Sequence, residues 1–367
     1  MDAIWKSALL LTVLLFVAHW FFYRLIDLGF GVKQLNHKPG PCRIVPGIEC
    51  GSEQIATTSD GLAFITNGFK ILTPCDKSKL DAKIYLFDFN NPHENITDLK
   101  IVSNSLTDLT LSSPHGLDVY EESGEGIIKL YVIFHTGPAE SVEVFLFNRS
   151  EPSFLQHIDS IRDESFKDIN DLTMISEDEF YITNLMSAWK HTHSIFAHLE
   201  YFLRMHTGNI VYYNKRDGGK VVQDGLSFAN GIAMSGDLVF LAAYMNTSVI
   251  VYKRNKEDNS LSWIATHDTL YPIDNIFFEP ATKRLYVGGT KHTYRAVLVV
   301  TDEGSNMAST FVARLTGLDE DFRQVEMDEL FYDNGQILSA GSAANVYQKK
   351  MLIGTVYHKL MFCQLTV

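Results

Sequence analysis

Cysteine is scarce in this chain, and none of it is set out as a zinc site: Cys42, Cys50, Cys75 and Cys363 form no Cys-x-x-Cys, and no His-Glu-x-x-His occurs. Basic side chains are also short, 31 Lys and Arg against 44 Asp and Glu, for a formal net charge of -13. A surface of that sign repels phosphate backbones, which argues against nucleic acid as a partner, while an acidic funnel favours a cation. No window is enriched in Pro, Gly and Ser together, so there is neither a low-complexity tract nor an obvious linker in the middle of the chain. The 367 residues therefore read as one large body, and 46% apolar residues with 24 Phe and 16 Tyr suffice for an extensive β core.

What is present is a recurring apolar strand, at 61–66, 129–134, 179–184, 238–243, 284–289 and 336–341, in steps of roughly 45 to 70 residues. Units of that size are blades, and the pattern predicts an all-β fold, a six-bladed β-propeller. In five of the units a polar residue stands about 8 to 15 positions upstream: Glu53, His115, Asn170, Asn230 and the pair Asp274-Asn275. Equivalent positions in a cyclic repeat face one axis. Glu53 and Asp274 offer carboxylates, and Asn170, Asn230 and Asn275 offer carbonyl oxygens, a set of hard donors suited to calcium. Taken singly each has an ordinary role, Asn230-Gly231 as a hairpin turn and Asn170-Asp171 as a cap. Equivalent placement in successive units is what joins them.

His115, in Ser113-Pro-His-Gly-Leu117, belongs to the same frame, and His135 ends the strand that follows. Two readings stand open: histidines hydrogen-bonded to backbone inside a core, or an imidazole that takes a proton from water while the second sets its tautomer. His191, His193, His198 and His206 fall on an aromatic, helical stretch, 187–204 and just beyond, that reads as a short helical lid over the ring.

A single long apolar run, residues 7–23, lies between Lys6 and Arg24 and ends in Trp20, Phe21, Phe22 and Tyr23 without a small-x-small cleavage site. It predicts an uncleaved transmembrane signal anchor. The chain then divides into a cytosolic stub (1–6), the span (7–23), a juxtamembrane segment (24–41) and the propeller (42–367). Asn95-Ile-Thr, Asn148-Arg-Ser and Asn246-Thr-Ser are glycosylation sequons that place the large body in the lumen or outside the cell. Cys42 and Cys363 stand where a closed ring needs its first and last strands fastened, which predicts a disulfide between them. Cys50 and Cys75 either bridge or stay as buried thiols.

Taken in order, Gly47-Ile-Glu-Cys-Gly-Ser-Glu53, Ser113-Pro-His-Gly116, Ile169-Asn-Asp171, Phe228-Ala-Asn-Gly-Ile232, Asp274-Asn-Ile276 and Leu352-Ile-Gly-Thr-Val-Tyr-His-Lys359 form a series. From Cys42 to the C-terminus the chain resembles the paraoxonase family of calcium-dependent lactonases and arylesterases. The resemblance implies two channel calcium ions and a retained hydrophobic N-terminus. It places the catalytic-calcium ligands on Glu53, Asn170, Asn230, Asp274 and Asn275, with His115 and His135 activating water, or Glu53 or Asp274 serving as base instead. The deeper structural calcium of the family would use Asp171 and the carbonyl of Leu117. Here Gln54 replaces the usual aspartate, which implies a weakened second site. Asn184-Leu185-Met186 and Gly289-Thr290 also depart from the family pattern, so substrate preference does not carry over. Known membrane-anchored relatives that assist ion-channel subunits imply an alternative role, a catalytically weak accessory protein for a membrane-protein client.

Overall fold

The computed structural model describes residues 2–27, 29–31, 34–70, 73–103, 112–122, 126–136, 140–187, 194–293, 295 and 307–366. Its body is a propeller-like array of 24 described strands in five antiparallel-rich sheets. Three sheets have four strands each and begin with the inner strands Ile169–Ser176, Ala229–Ser235 and Ile273–Glu279. An eight-stranded sheet consists of two four-stranded meanders whose inner strands are Ile55–Thr57 and Ser113–Glu121. The two meanders are joined at their outer edges, where Thr97–Val102 runs parallel to Phe154–Ile161. The last sheet begins with Gly341–Tyr347 and is completed from the other end of the chain by Cys42–Val45, which pairs with Leu360–Gln364. Each inner strand packs against the next, and the last against the first, so they encircle one axis.

The apolar core is distributed between neighbouring sheets. Phe64, Phe134, Phe145 and Phe147 fill the space between the first two meanders, and Phe240, Phe311, Phe322 and Tyr332 fill a later one. Comparable clusters occupy the other junctions. Because stability comes from these side-by-side interfaces, the axis is left free to carry polar groups.

Five of the six strands anticipated from the repeat are the second strands of their sheets. The sixth is not: 336–340 is a bend, and the second strand of the last sheet is Lys350–Thr355. The buried Asp333 carboxylate explains the difference, since its Oδ1 accepts from the N–H groups of Gly335 (2.9 Å), Ile337 (3.0 Å) and Leu338 (3.1 Å). Those bonds curl the apolar segment into a loop, an Asp-centred turn that outcompetes the ladder.

Helix α1 (Asp2–Asp27) contains Trp5–Tyr23, 19 residues long and apolar enough to cross a membrane, with no part of that stretch buried against the body. The segment after it is docked: His37 exchanges backbone hydrogen bonds with Tyr332, and buried Lys291 contacts Gln34 and Glu329. Helix α2 (Ser194–Leu203) lies within the anticipated lid, with Tyr201 edge-on to Phe228, and carries exposed Ile195, Leu199 and Leu203. His191 and His193 lie outside the described residues.

Cys42 and Cys363 face each other across the closing pair of strands and are bonded, and Cys50 and Cys75 are bonded as well. The first bridge encloses 321 residues, for which chain entropy sets a ceiling of about 5–6 kcal/mol. We expect Cys42→Ala/Cys363→Ala to lose about 2–5 kcal/mol in chemical denaturation. An unchanged midpoint would mean that strand pairing alone closes the ring.

Candidate metal centre

The same irregularity recurs where the inner strands begin. Register breaks between Pro114 and Leu117, Ile169 and Leu172, Ala229 and Ile232, Ile273 and Ile276, and Gly341 and Ala344. Each break leaves two residues outside the ladder, and a β-bulge re-aims such residues away from the sheet face. The pairs are His115-Gly116, Asn170-Asp171, Asn230-Gly231, Asp274-Asn275 and Ser342-Ala343, while Glu53-Gln54 immediately precedes the sixth inner strand. Gly116 and Gly231 stand where backbone from the next sheet passes. A Cβ at Gly116 would lie 2.4 Å from the carbonyl oxygen of Asn170, and one at Gly231 2.6 Å from Cα of Asn275.

Contacts around the axis follow from this arrangement. Asn275 Nδ2 donates to Glu53 Oε1 (3.0 Å) and to the Glu53 carbonyl (3.2 Å). Ser342 Oγ donates to the same carbonyl (2.6 Å), and the Ile232 N–H donates to Asp171 Oδ2 (2.9 Å). Asn230 hydrogen-bonds to Asp274. Glu53, Gln54, Asn170, Asp171, Asn230 and Asn275 are all buried, and Asp274 is half-buried. Below this level a cavity of about 160 Å³ continues along the axis, lined by Gln54, Leu117, Asp118 and Asp171 among others.

The donor set fits a hard cation. Glu53 Oε2 and Asn230 Oδ1 are buried acceptors with no hydrogen-bond donor, an arrangement that costs free energy unless something positive faces them. Among the described residues no group of three or more His, Cys, Asp or Glu forms a ligand cluster. The set depends on amide oxygens, which oxygen-seeking calcium accepts and zinc does not favour.

Electrostatics point the same way. Burial, reinforced by the neighbouring Glu53 charge, raises the Asp274 carboxyl well above the usual carboxylate range. Burial also pushes Asp171 up to about 8, partly offset by its bond from the Ile232 N–H. Asp118 is pushed up to about 6, again by burial. Carboxyl groups crowded in this way ionise together only when a cation shares their field.

His115 and His135 are hydrogen-bonded to each other, with Nδ1 of His115 2.9 Å from Nε2 of His135. Nδ1 of His135 faces Glu140 Oε2 at 2.5 Å. A carboxylate only accepts, so His135 donates from Nδ1 and presents a lone pair at Nε2. With both rings neutral His115 donates from Nδ1, and its Nε2 faces Glu53 Oε1 at 3.5 Å. Phe69 stacks on His115 with ring centroids 4.3 Å apart and holds the plane of the ring.

Glu140, Phe69 and Ser342 were not anticipated from sequence. Glu140 follows His135 by five positions across the 137–139 connection, a weak signal on its own. Ser342 falls outside the frame that a strand at 336–341 implies, and the observed pairing of Gly341–Tyr347 with Lys350–Thr355 brings it into the polar frame. Asn184 is turned away from the axis, with Oδ1 accepting from Lys167 N and Nδ2 donating to Ser165 O and Asn209 Oδ1. The sequon residues Asn95, Asn148 and Asn246 are exposed.

The arylesterase family profile matches residues 35–365. This chain belongs to the arylesterase (paraoxonase) family. It is 31% identical over 341 residues to serum paraoxonase/arylesterase 1 of Mus musculus, covering 88% of each chain. It is 30% identical over 336 residues to serum paraoxonase/lactonase 3 of Rattus norvegicus, covering 89% of this chain and 90% of that one. Among solved structures it is similar to a luciferin-regenerating enzyme, with a TM-score of 0.52 at 9% identity, covering 88% of this chain and 94% of that one, a likeness of fold.

The raised carboxyls make stability depend on pH when metal is absent. The folded value of Asp171, about 8, lies above its ordinary 3.8, so its contribution is whole below about pH 4 and is lost as pH rises through about 8. We expect the chelated protein's thermal midpoint to fall across that window and Asp171→Asn to flatten the fall. Parallel profiles for the two proteins would refute this assignment of the pH dependence.

Proposed function

We propose that this chain is a membrane-anchored, calcium-dependent hydrolase of lactones or aryl esters, with its body in the lumen or outside the cell. Glu53, Asn170, Asn230, Asp274 and Asn275 would hold the catalytic ion in a six-bladed propeller, the eight-stranded sheet counting as two blades. The observation that carries this reading is the set of bulge residues around one axis, with unpaired acceptor oxygens beside an imidazole whose Nε2 faces Glu53. Calcium, when bound, supplies positive charge that polarises an ester carbonyl and stabilises the developing oxyanion.

The residues of the chain do the rest. Nε2 of His115 accepts a proton from the attacking water, and the Nδ1–H of His115 stays on the His135 bond. Glu140 favours the positive charge that then develops on the imidazole pair, and Phe69 fixes the ring that carries it. Residues 54 and 171 lie one step deeper along the axis. Gln54 Oε1 already accepts from Ile55 N (2.9 Å), and Asp171 Oδ2 accepts from Ile232 N. Asp171 Oδ1 stays without a donor and could still face a cation, but with Gln54 in place of a carboxylate one charge is missing, so a second calcium at Gln54, Asp171 and the Leu117 carbonyl would bind more weakly than the first.

A second reading, an accessory protein for a membrane client, draws support from Asn184, which is locked into its own sheet, and from the exposed apolar stripe of α2. The two separate experimentally. Asp274→Ala and chelation should each abolish hydrolysis of phenyl acetate and of an aliphatic lactone, while His115→Gln lowers kcat by about 10²–10⁴-fold. A folded, calcium-replete protein that hydrolyses neither substrate would overturn the enzymatic reading and leave the accessory role.

Glu140→Gln removes the charge that favours imidazolium without removing the base. Its kcat should fall with KM little changed, and the acidic limb of the pH profile should move to lower pH. A profile that falls uniformly without moving would make Glu140 only a packing residue.

A further inference from the structure

Away from the axis, on the outer surface, lies a groove of about 470 Å³ at the parallel seam between the two joined meanders. Its walls are apolar: Val102, Ile127 and Phe154 are 39, 40 and 44% exposed, and Leu146 completes the floor. Glu151 and Gln156 supply polar groups at its edge. These apolar side chains are neighbours and open to solvent, with polar groups along one edge.

Asn148 lines the same groove, and it is the acceptor of the Asn148-Arg-Ser sequon. It is exposed at the end of Glu140–Asn148, where the chain turns toward Phe154. Its Oδ1 accepts from the N–H (3.0 Å) and Oγ (2.8 Å) of Ser150, which commits the carbonyl and leaves Nδ2, the atom that is glycosylated, without a role in the turn.

We propose that the occupant of this groove is the core of an N-glycan attached to Asn148. The first sugar lays its C–H face on Phe154, Ile127 and Val102, and its hydroxyls meet Glu151 and Gln156. An amphipathic ring suits an apolar wall with a polar edge, as aromatic side chains with polar tips do. The glycan therefore shields the seam from association with other chains. This inference rests on the lumenal or extracellular placement proposed above.

The test uses the full chain made in a secretory eukaryotic host in a high-mannose form. Glycopeptide mass spectrometry reads occupancy at Asn95, Asn148 and Asn246. Bis-ANS fluorescence is then compared for untreated protein, protein trimmed to a single N-acetylglucosamine, protein stripped by peptide N-glycosidase, and Ser150→Ala. The expected result is occupancy at Asn148, with the trimmed protein matching the untreated one. The stripped protein and Ser150→Ala should bind about twofold more dye or higher, and Phe154→Ser added to Ser150→Ala should reverse the gain. A bare Asn148 beside an occupied Asn95 or Asn246 overturns the proposal alone, as does equal dye binding before and after stripping, or a trimmed protein that behaves like the stripped one. Three bare sequons would overturn the lumenal placement as well.

Discussion

The site depends on one departure from regular pairing. A straight inner strand presents alternate residues to its two neighbours and leaves its backbone groups in the ladder. By slipping register just after it starts, each of five inner strands releases two residues at the same height. Around a ring of sheets the released side chains meet, although the residues that meet are more than 200 positions apart, as Asn275 and Glu53 are. Gly116 and Gly231 accompany the slips because neighbouring backbone comes too close for any side chain there.

Polar residues are tolerated on the axis because the hydrophobic work is done elsewhere. Phenylalanine-rich clusters between neighbouring sheets stabilise the body, so no apolar group need occupy the centre. Closure by a strand from the other terminus, with its disulfide, holds the ring shut. A ring that opened at this seam would separate Glu53 from Ser342 and Asn275, which come from later sheets, and disperse the acceptor oxygens.

The imidazole pair shows how a buried carboxylate sets chemistry at a distance. Glu140 meets His135, and His135 in turn meets His115, so the carboxylate is linked to the His115 ring through a second imidazole. The order of these groups, carboxylate then two imidazoles, needs the hairpin that returns Glu140 to the end of its partner strand, where it pairs with His135. Chain proximity supplied that pairing, whereas the contact of His115 with Glu53 comes from packing between sheets.

Much of this was legible in the residues themselves. Apolar runs at blade-sized intervals marked the strands, the polar residue ahead of each marked the frame, and Cys42 and Cys363 marked the seam, because these are local patterns or follow from closure. The last repeat departs from the pattern, since Leu338 and its neighbours have the composition of a strand but Asp333 bends them into a loop, and the polar frame there begins at Ser342 instead. The sequence by itself determined the kind of chemistry available, hard oxygens and histidines rather than thiols. Only the tertiary structure decided which oxygens remain unpaired, which nitrogen of His115 faces Glu53, and that Asn148 borders an apolar groove. Those properties are set by hydrogen bonds and burial among residues far apart in the chain, and no local pattern encodes them.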